Sequence, residues 1–356
     1  MNKKLTITGV YSLMHALVDM SCAVLFTGVL TNSGYAAGYG AFAVLAYDFF
    51  AFVLQFPFGM IADRLNRNAL VSALGCVLVG AAFAFRMCAF PACIVAGIGN
   101  ALFHVGGGVD VLNVSEGKAS LSGVYVSTGA MGLYLGIQWY HKAYLIPCLA
   151  GALAAGTVLL VWLFRKIRRD YQVKNAACER IFELPELTSE QHLIVVCLLL
   201  TVCVRSCLGM VMGFTWKSGF YTGLAAVAAV VLGKACGGII GDRLGWKKTS
   251  VTSLVIAAVL FYPAFDNMIC GLFALFFFNM TMPITLTAMA NLFPKRMGAA
   301  FGVTSAALFV GAVPVFHGYG GMIFQRPVLI GTTLASAAVL FCGLWYYGKI
   351  KAITEE

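Results

Sequence analysis

The sequence predicts an all-α membrane protein of twelve transmembrane helices arranged as two six-helix bundles. Three observations lead there. Of its 356 residues, 61% are apolar and only 11% are charged, whereas a soluble domain carries roughly 25% charge. The apolar residues fall into runs long enough to cross a hydrocarbon core, which takes about 20 residues. One short pattern also occurs twice. It reads Gly59-Met60-Ile61-Ala62-Asp63-Arg64-Leu65-Asn66-Arg67 first and Gly238-Ile239-Ile240-Gly241-Asp242-Arg243-Leu244-Gly245-Trp246 later. The two aspartates lie 179 residues apart, half the chain, and the same offset aligns Gly123 with Gly302 and Gly132 with Gly311. A hairpin repeated at half-length marks a duplicated membrane protein.

Taken in order, span one (5–31) follows Met-Asn-Lys-Lys. It is too long for a signal-peptide core, so it reads as a retained helix. Span two (36–60) ends in the first hairpin copy. Spans three (69–86), four (89–113), five (119–139) and six (144–164) complete an N-terminal bundle over 1–164. A linker at 165–191 opens Arg165-Lys166-Ile167-Arg168-Arg169-Asp170 and holds most of the soluble-type sequence. The C-terminal bundle, 192–356, begins with spans seven (192–215) and eight (218–240), the latter ending in the second hairpin copy. Span nine (249–266) follows. Span ten (268–291) carries Met280-Thr281-Met282-Pro283, where a proline without an N–H predicts a broken helix. Spans eleven (299–322) and twelve (327–348) close the chain.

Lys and Arg set the direction. Most of the 24 fall on the hairpin side, in the linker or at the termini; Arg86, Lys142, Lys217 and Arg326 lie opposite, and Arg205 and Lys234 lie within spans. Both termini are therefore expected in the cytoplasm, with the chain in the cytoplasmic (inner) membrane. The net charge of +10 reflects this topology, so no nucleic-acid partner is expected. The twelve cysteines are scattered without a C-x-x-C pair and read as packing residues. The run Gly106-Gly107-Gly108 ends an apolar span rather than following a strand, so it is no phosphate loop. No zinc motif or nucleophile elbow occurs. Neither metal nor cofactor is expected, the chain is not read as an enzyme, and a monomer in the bilayer is expected.

A charge at the bilayer centre costs at least about 2.5–3.5 kcal/mol, so ionisable residues there mark function. His15 and Asp19, four residues apart, share one face of span one. Asp48 lies in span two, Asn100 and His104 in span four, Arg205 in span seven and His317 in span eleven. These seven are the candidate residues for coupling and substrate binding. For His317 a packing role bonded to backbone stands equally open. Gly59, Asp63, Arg64, Arg67 and Asp110, with Gly238, Asp242 and Arg243, are candidate gating residues. A carboxylate at Asp63 suits a helix N-terminus, Arg67 sits one turn on from it, and Asp110 lies on the same side of the membrane. A cytoplasmic charge cluster of Asp63, Arg67 and Asp110 is expected when the cavity faces outward. The second copy has Trp246 where the first has Arg67, so a weaker latch is expected there.

Twelve spans, a central linker and the G-x-x-x-D-R-x-x-R hairpin resemble the major facilitator superfamily. His15-x-x-x-Asp19, Gly99-Asn100-Ala101-Leu102-Phe103-His104 and Arg205-Ser206 resemble its fosmidomycin-resistance-like branch of drug exporters. The resemblance implies a secondary transporter of a small organic molecule, with proton-coupled efflux by alternating access. It implies a cavity lined by spans one, four and seven, and span eleven as the partner of Asp63. A proton-independent facilitator or importer is the alternative. An intramembrane enzyme would require His15, Asp19 and His104 to converge on one metal or nucleophile.

Overall fold

The computed structural model describes residues 3–32, 34, 36, 38–167 and 185–355; most of the linker expected at 165–191 lies outside them. All twelve expected spans are helical. Ten of these helices are long and apolar enough to cross a membrane, beginning with Lys3–Leu30 and ending with Arg326–Ala352. The other two are span five, Ala119–Trp139, and span nine, Trp246–Ala264.

Three spans are interrupted. Span ten breaks into Met268–Asn279 and Thr281–Leu292, with Pro283 in the first turn of the second piece. The missing proline N–H removes a hydrogen bond that a continuous helix would have made there. Span two passes from Tyr39–Asp48 into a π-helical turn, Phe49–Val53. Span eleven runs Met297–Pro314 into a second π turn, Val315–Tyr319, where Gly318 takes φ 87°. Such wide turns gather at functional positions.

Contacts divide the chain into two compact units. The first comprises Met1–Glu116, Thr128–Glu183 and Phe293–Ala306; the second comprises Gly117–Ser127, Leu184–Leu292 and Ala307–Glu356. Each unit therefore takes one short piece of span from the other half of the sequence. In the first unit, spans three and four approach so closely that a Cβ on Gly75, Gly99 or Gly106 would meet backbone of the neighbouring helix. Small residues permit this in a bilayer, where packing rather than water drives helix association.

The repeat seen in the sequence extends to the backbone. Asn66, at φ 48°, ends the helix of span two, and its N–H bonds Ala62 O. Gly245, at φ 93°, ends span eight with its N–H on Gly241 O. The two left-handed residues are 179 apart. Glu116 (φ 49°) and Lys295 (φ 67°) form another left-handed pair at the same offset, each at the turn that leads into span five or eleven.

Candidate functional site

Two constellations stand out: a duplicated latch at the hairpins and a polar cluster inside the first unit.

In the latch of the first unit, the Asp63 carboxylate accepts the backbone N–H of Gly298 at 2.7 Å and of Ala299 at 2.9 Å. These amides open the helix of span eleven, where unsatisfied N–H groups and the helix dipole favour an anion. Asp63 is only 2% exposed. Such closeness requires Gly59, because a Cβ there would collide with Gly298 O. One turn further, a Cβ on Gly302 would collide with Gln55 O, and Ser305 Oγ donates to Gln55 Oε1 at 2.6 Å.

The second unit repeats every part at the 179-residue offset. Asp242 accepts the N–H of Ala119 at 2.9 Å and of Ser120 at 2.8 Å, the amides that open span five. Gly238 lies against Ala119 O and Gly123 against Lys234 O, each too close for a Cβ. Lys234 Nζ donates to Val126 O at 3.5 Å, matching the Gln55–Ser305 contact. Trp246 Nε1 adds a third bond to Asp242 at 2.9 Å. The second copy therefore has one donor more than the first, contrary to the expectation of a weaker latch, because an indole N–H fills the place one turn after the aspartate.

The charge cluster expected around Arg67 is not formed. Arg64, Arg67 and Arg243 are exposed, and among the described residues no ion pair joins Arg67 to Asp63 or Asp110. The cation acting on Asp63 is the buried Arg296, in the turn before span eleven. Asp110 instead accepts Tyr11 Oη at 2.6 Å and Asn68 Nδ2 at 2.9 Å. That ties spans one, three and four together inside one unit, so Asp110 acts as an internal staple. Neither Arg296 nor Asn68 was singled out from the sequence; a basic residue just before a capped helix was the available signal for the first.

The polar cluster brings together four of the expected cavity residues. His15 Nε2 lies 3.2 Å from Asp19 Oδ2. His104 Nε2 lies 3.6 Å from Asp19 Oδ1 and 2.8 Å from His15 Nε2. Asn100 Nδ2 donates to Asp19 Oδ1 at 3.1 Å. The helical spacing places His15 and Asp19 on one face of span one, and Asn100 and His104 on the facing side of span four. His104 Nδ1 contacts Asn100 O at 2.9 Å. A carbonyl oxygen only accepts, so Nδ1 carries the proton and a neutral His104 presents the lone pair of Nε2 to the cluster. Span five packs behind it through Gly129, where a Cβ would strike the Asp19 carboxylate and the His15 ring.

The remaining candidates lie elsewhere. Arg205 is buried in the second unit and donates to Thr285 Oγ1 at 3.4 Å, among the described residues a single long bond for a five-donor guanidinium. Asp48 sits where span two enters its π turn. His317 is exposed, with Nδ1 on Val313 O of its own helix at 2.9 Å, which corresponds to the backbone-bonded arrangement held open for it.

No protein-family model matches the chain, and no curated protein matches it. Solved structures do. The human organic anion transporter MFSD10 is 14% identical with a TM-score of 0.68, over 97% of this chain and 99% of that one. A bacterial homologue of the iron transporter ferroportin, in an outward-facing state, is 13% identical with a TM-score of 0.67, over 96% and 99%. The E. coli fucose:proton symporter is 11% identical with a TM-score of 0.61, over 97% and 99%. At these identities the likeness establishes the fold alone, shared with these structures over 96–97% of this chain. Each of these neighbours is a transporter by name.

Proposed function

We propose that the chain is a secondary active transporter of a small organic molecule, working by alternating access in the cytoplasmic membrane with both termini inside. The duplicated aspartate latch carries this reading. Two carboxylates, each in one half of the sequence, hold the first turn of a span from the other half. Bonds of this kind are strong when dry and are exchanged for water when the helices part. They suit a gate that closes one side of the membrane and opens on rocking. A rigid channel or scaffold has no need of a gate duplicated to the residue.

Asp19, among His15, His104 and Asn100, is the proposed coupling group. A carboxylate and two imidazoles at hydrogen-bonding distance can share or release a proton within the membrane without leaving a lone buried charge. Arg205 is the proposed seat for the substrate. Its poorly satisfied, planar guanidinium favours an anionic group that takes two parallel bonds. The name of the human neighbour, an organic anion transporter, agrees with that preference. The segments resembling the fosmidomycin-resistance-like branch favour outward movement, with protons as the counter-ion.

The test begins with a thermal-shift screen of small organic anions against purified protein, since a ligand stabilises the fold by RT ln(1 + [L]/Kd). Binders are then followed in inverted membrane vesicles. The proposal expects accumulation driven by a proton gradient and abolished by a protonophore. Flux indifferent to the protonophore would make the chain a facilitator.

A further inference from the structure

The polar cluster has the donor set and spacing of a metal site. We infer that His15, Asp19 and His104 together bind one divalent transition-metal ion of the zinc, cobalt or ferrous type. The inference shares three side chains with the transport reading above but concerns binding at equilibrium, so either can fail without the other.

The first argument is distance. Metal–nitrogen and metal–oxygen bonds of about 2.0–2.2 Å, at angles between octahedral and tetrahedral, set neighbouring ligand atoms about 2.8–3.6 Å apart. The two imidazole nitrogens lie 2.8 Å apart, and each faces its own oxygen of the Asp19 carboxylate, His15 Nε2 at 3.2 Å from Oδ2 and His104 Nε2 at 3.6 Å from Oδ1, all within that range. One ligand atom from each residue falls within 4.8 Å of the others. Both carboxylate oxygens therefore face the imidazole pair, so Asp19 can meet an ion with either oxygen or with both.

The second argument is hydrogen-bond accounting. Neutral His104 faces the cluster with a lone pair, because its Nδ1 proton is committed to Asn100 O. Asp19 only accepts, and already takes the Asn100 amide. His15 Nε2 stands 2.8 Å from the His104 lone pair and 3.2 Å from the Asp19 carboxylate, so all three side chains turn a ligand-type atom toward one another. With the His15 proton on Nδ1, a cation among the three side chains would meet a lone pair from each of them.

The third argument is the support around the ligands. A ligating histidine typically gives its other N–H to a backbone carbonyl, and a ligating carboxylate is itself hydrogen-bonded. His104 meets the first condition through Asn100 O, and Asp19 the second through the Asn100 side chain. Two imidazoles and one carboxylate form the facial set that suits first-row divalent ions and leaves further coordination positions free. The Asp19 and His104 side chains keep 20% and 14% of their surface exposed, so those positions are not sealed. Sequence spacing alone conceals the set, because His104 lies 85 residues from Asp19 and only helix packing joins them.

The experiment is a Co2+ titration of tag-free, metal-stripped protein in detergent, read by visible d–d absorption and followed by Zn2+ competition. The expected result is one Co2+ per chain, with its bands bleached by Zn2+. Asp19→Asn and His104→Gln should each weaken binding about a hundredfold or more. Asn100→Leu should weaken it about 10- to 100-fold, as loss of an outer-shell partner does. His104→Cys should restore binding and add a sulfur-to-cobalt charge-transfer band, which a merely structural role for position 104 would not produce. Melting temperatures confirm that each variant is folded. Absence of d–d bands in folded wild-type protein overturns the inference, as does binding unchanged in both Asp19→Asn and His104→Gln.

Discussion

Replacing Asp63 by asparagine keeps the shape of the latch and removes its charge. An amide offers one acceptor oxygen, so one of the two bonds to Gly298 and Ala299 is lost and an NH2 group faces a backbone N–H. A hydrogen bond to a charged group contributes about 1.5–3 kcal/mol, and the charge at a helix N-terminus about 0.3–1 kcal/mol more. The latched arrangement should therefore lose about 2–4 kcal/mol, a shift of about 30- to 700-fold toward the open one at 1.4 kcal/mol per tenfold. Spin labels report this directly. Leu65 and Pro294 are exposed beside the latch, and both can carry labelled cysteines once the native cysteines are replaced. Dipolar broadening between the labels should be strong in the parent and largely lost in Asp63→Asn. Broadening that survives unchanged, in protein that is folded and labelled, would show that the Asp63 bonds do not hold the spans together.

Gly238→Ala places a methyl against Ala119 O, and Gly59→Ala does the same against Gly298 O. Each should cost about 1–3 kcal/mol by overpacking, seen as a lower melting temperature and weakened broadening at its own latch. Trp246→Phe keeps the ring stacked on Tyr347 but removes the third bond to Asp242. It should cost about 1 kcal/mol in thermal stability, less than Asp242→Asn, and an equal loss in both would give the indole all of the effect. Arg205→Lys should fail to restore binding of an anionic ligand found by thermal shift, because an ammonium cannot reproduce the planar fork; affinity within threefold of wild type would remove Arg205 from the substrate seat.

The repeat was legible because it was written in small residues and charges. The pairs Gly59/Gly238, Asp63/Asp242 and Gly123/Gly302 meet equivalent backbone in the two units. The partners of those residues were less legible. Arg67 lay one turn from Asp63 and looked like its counter-ion, yet Asn66 turns left-handed at the helix end and Arg67 is carried out to solvent. The cation that acts on Asp63, Arg296, is 233 residues away in sequence. Asp110 looked like a gating group because it lies on the hairpin side, but Tyr11 and Asn68 from neighbouring spans each bond one of its oxygens. The second latch looked weaker because tryptophan was counted as a lost charge rather than a gained N–H donor. In the spans, the i,i+4 spacing gave His15 with Asp19 and Asn100 with His104. The packing of span four on span one that brings the two pairs within 4 Å is a matter of tertiary contact, and no periodicity in either span encodes it.

The central claim, that Asp19 couples protons to transport, is tested by comparing two modes of transport in proteoliposomes containing Asp19→Asn protein. Driven accumulation under an imposed pH gradient requires the proton to be taken up and released, whereas exchange of labelled for unlabelled substrate requires only that the loaded carrier reorient. Asp19→Asn should lose driven accumulation and retain a substantial part of exchange. Undiminished proton-driven accumulation in Asp19→Asn would contradict the claim and pass the coupling role to Asp48.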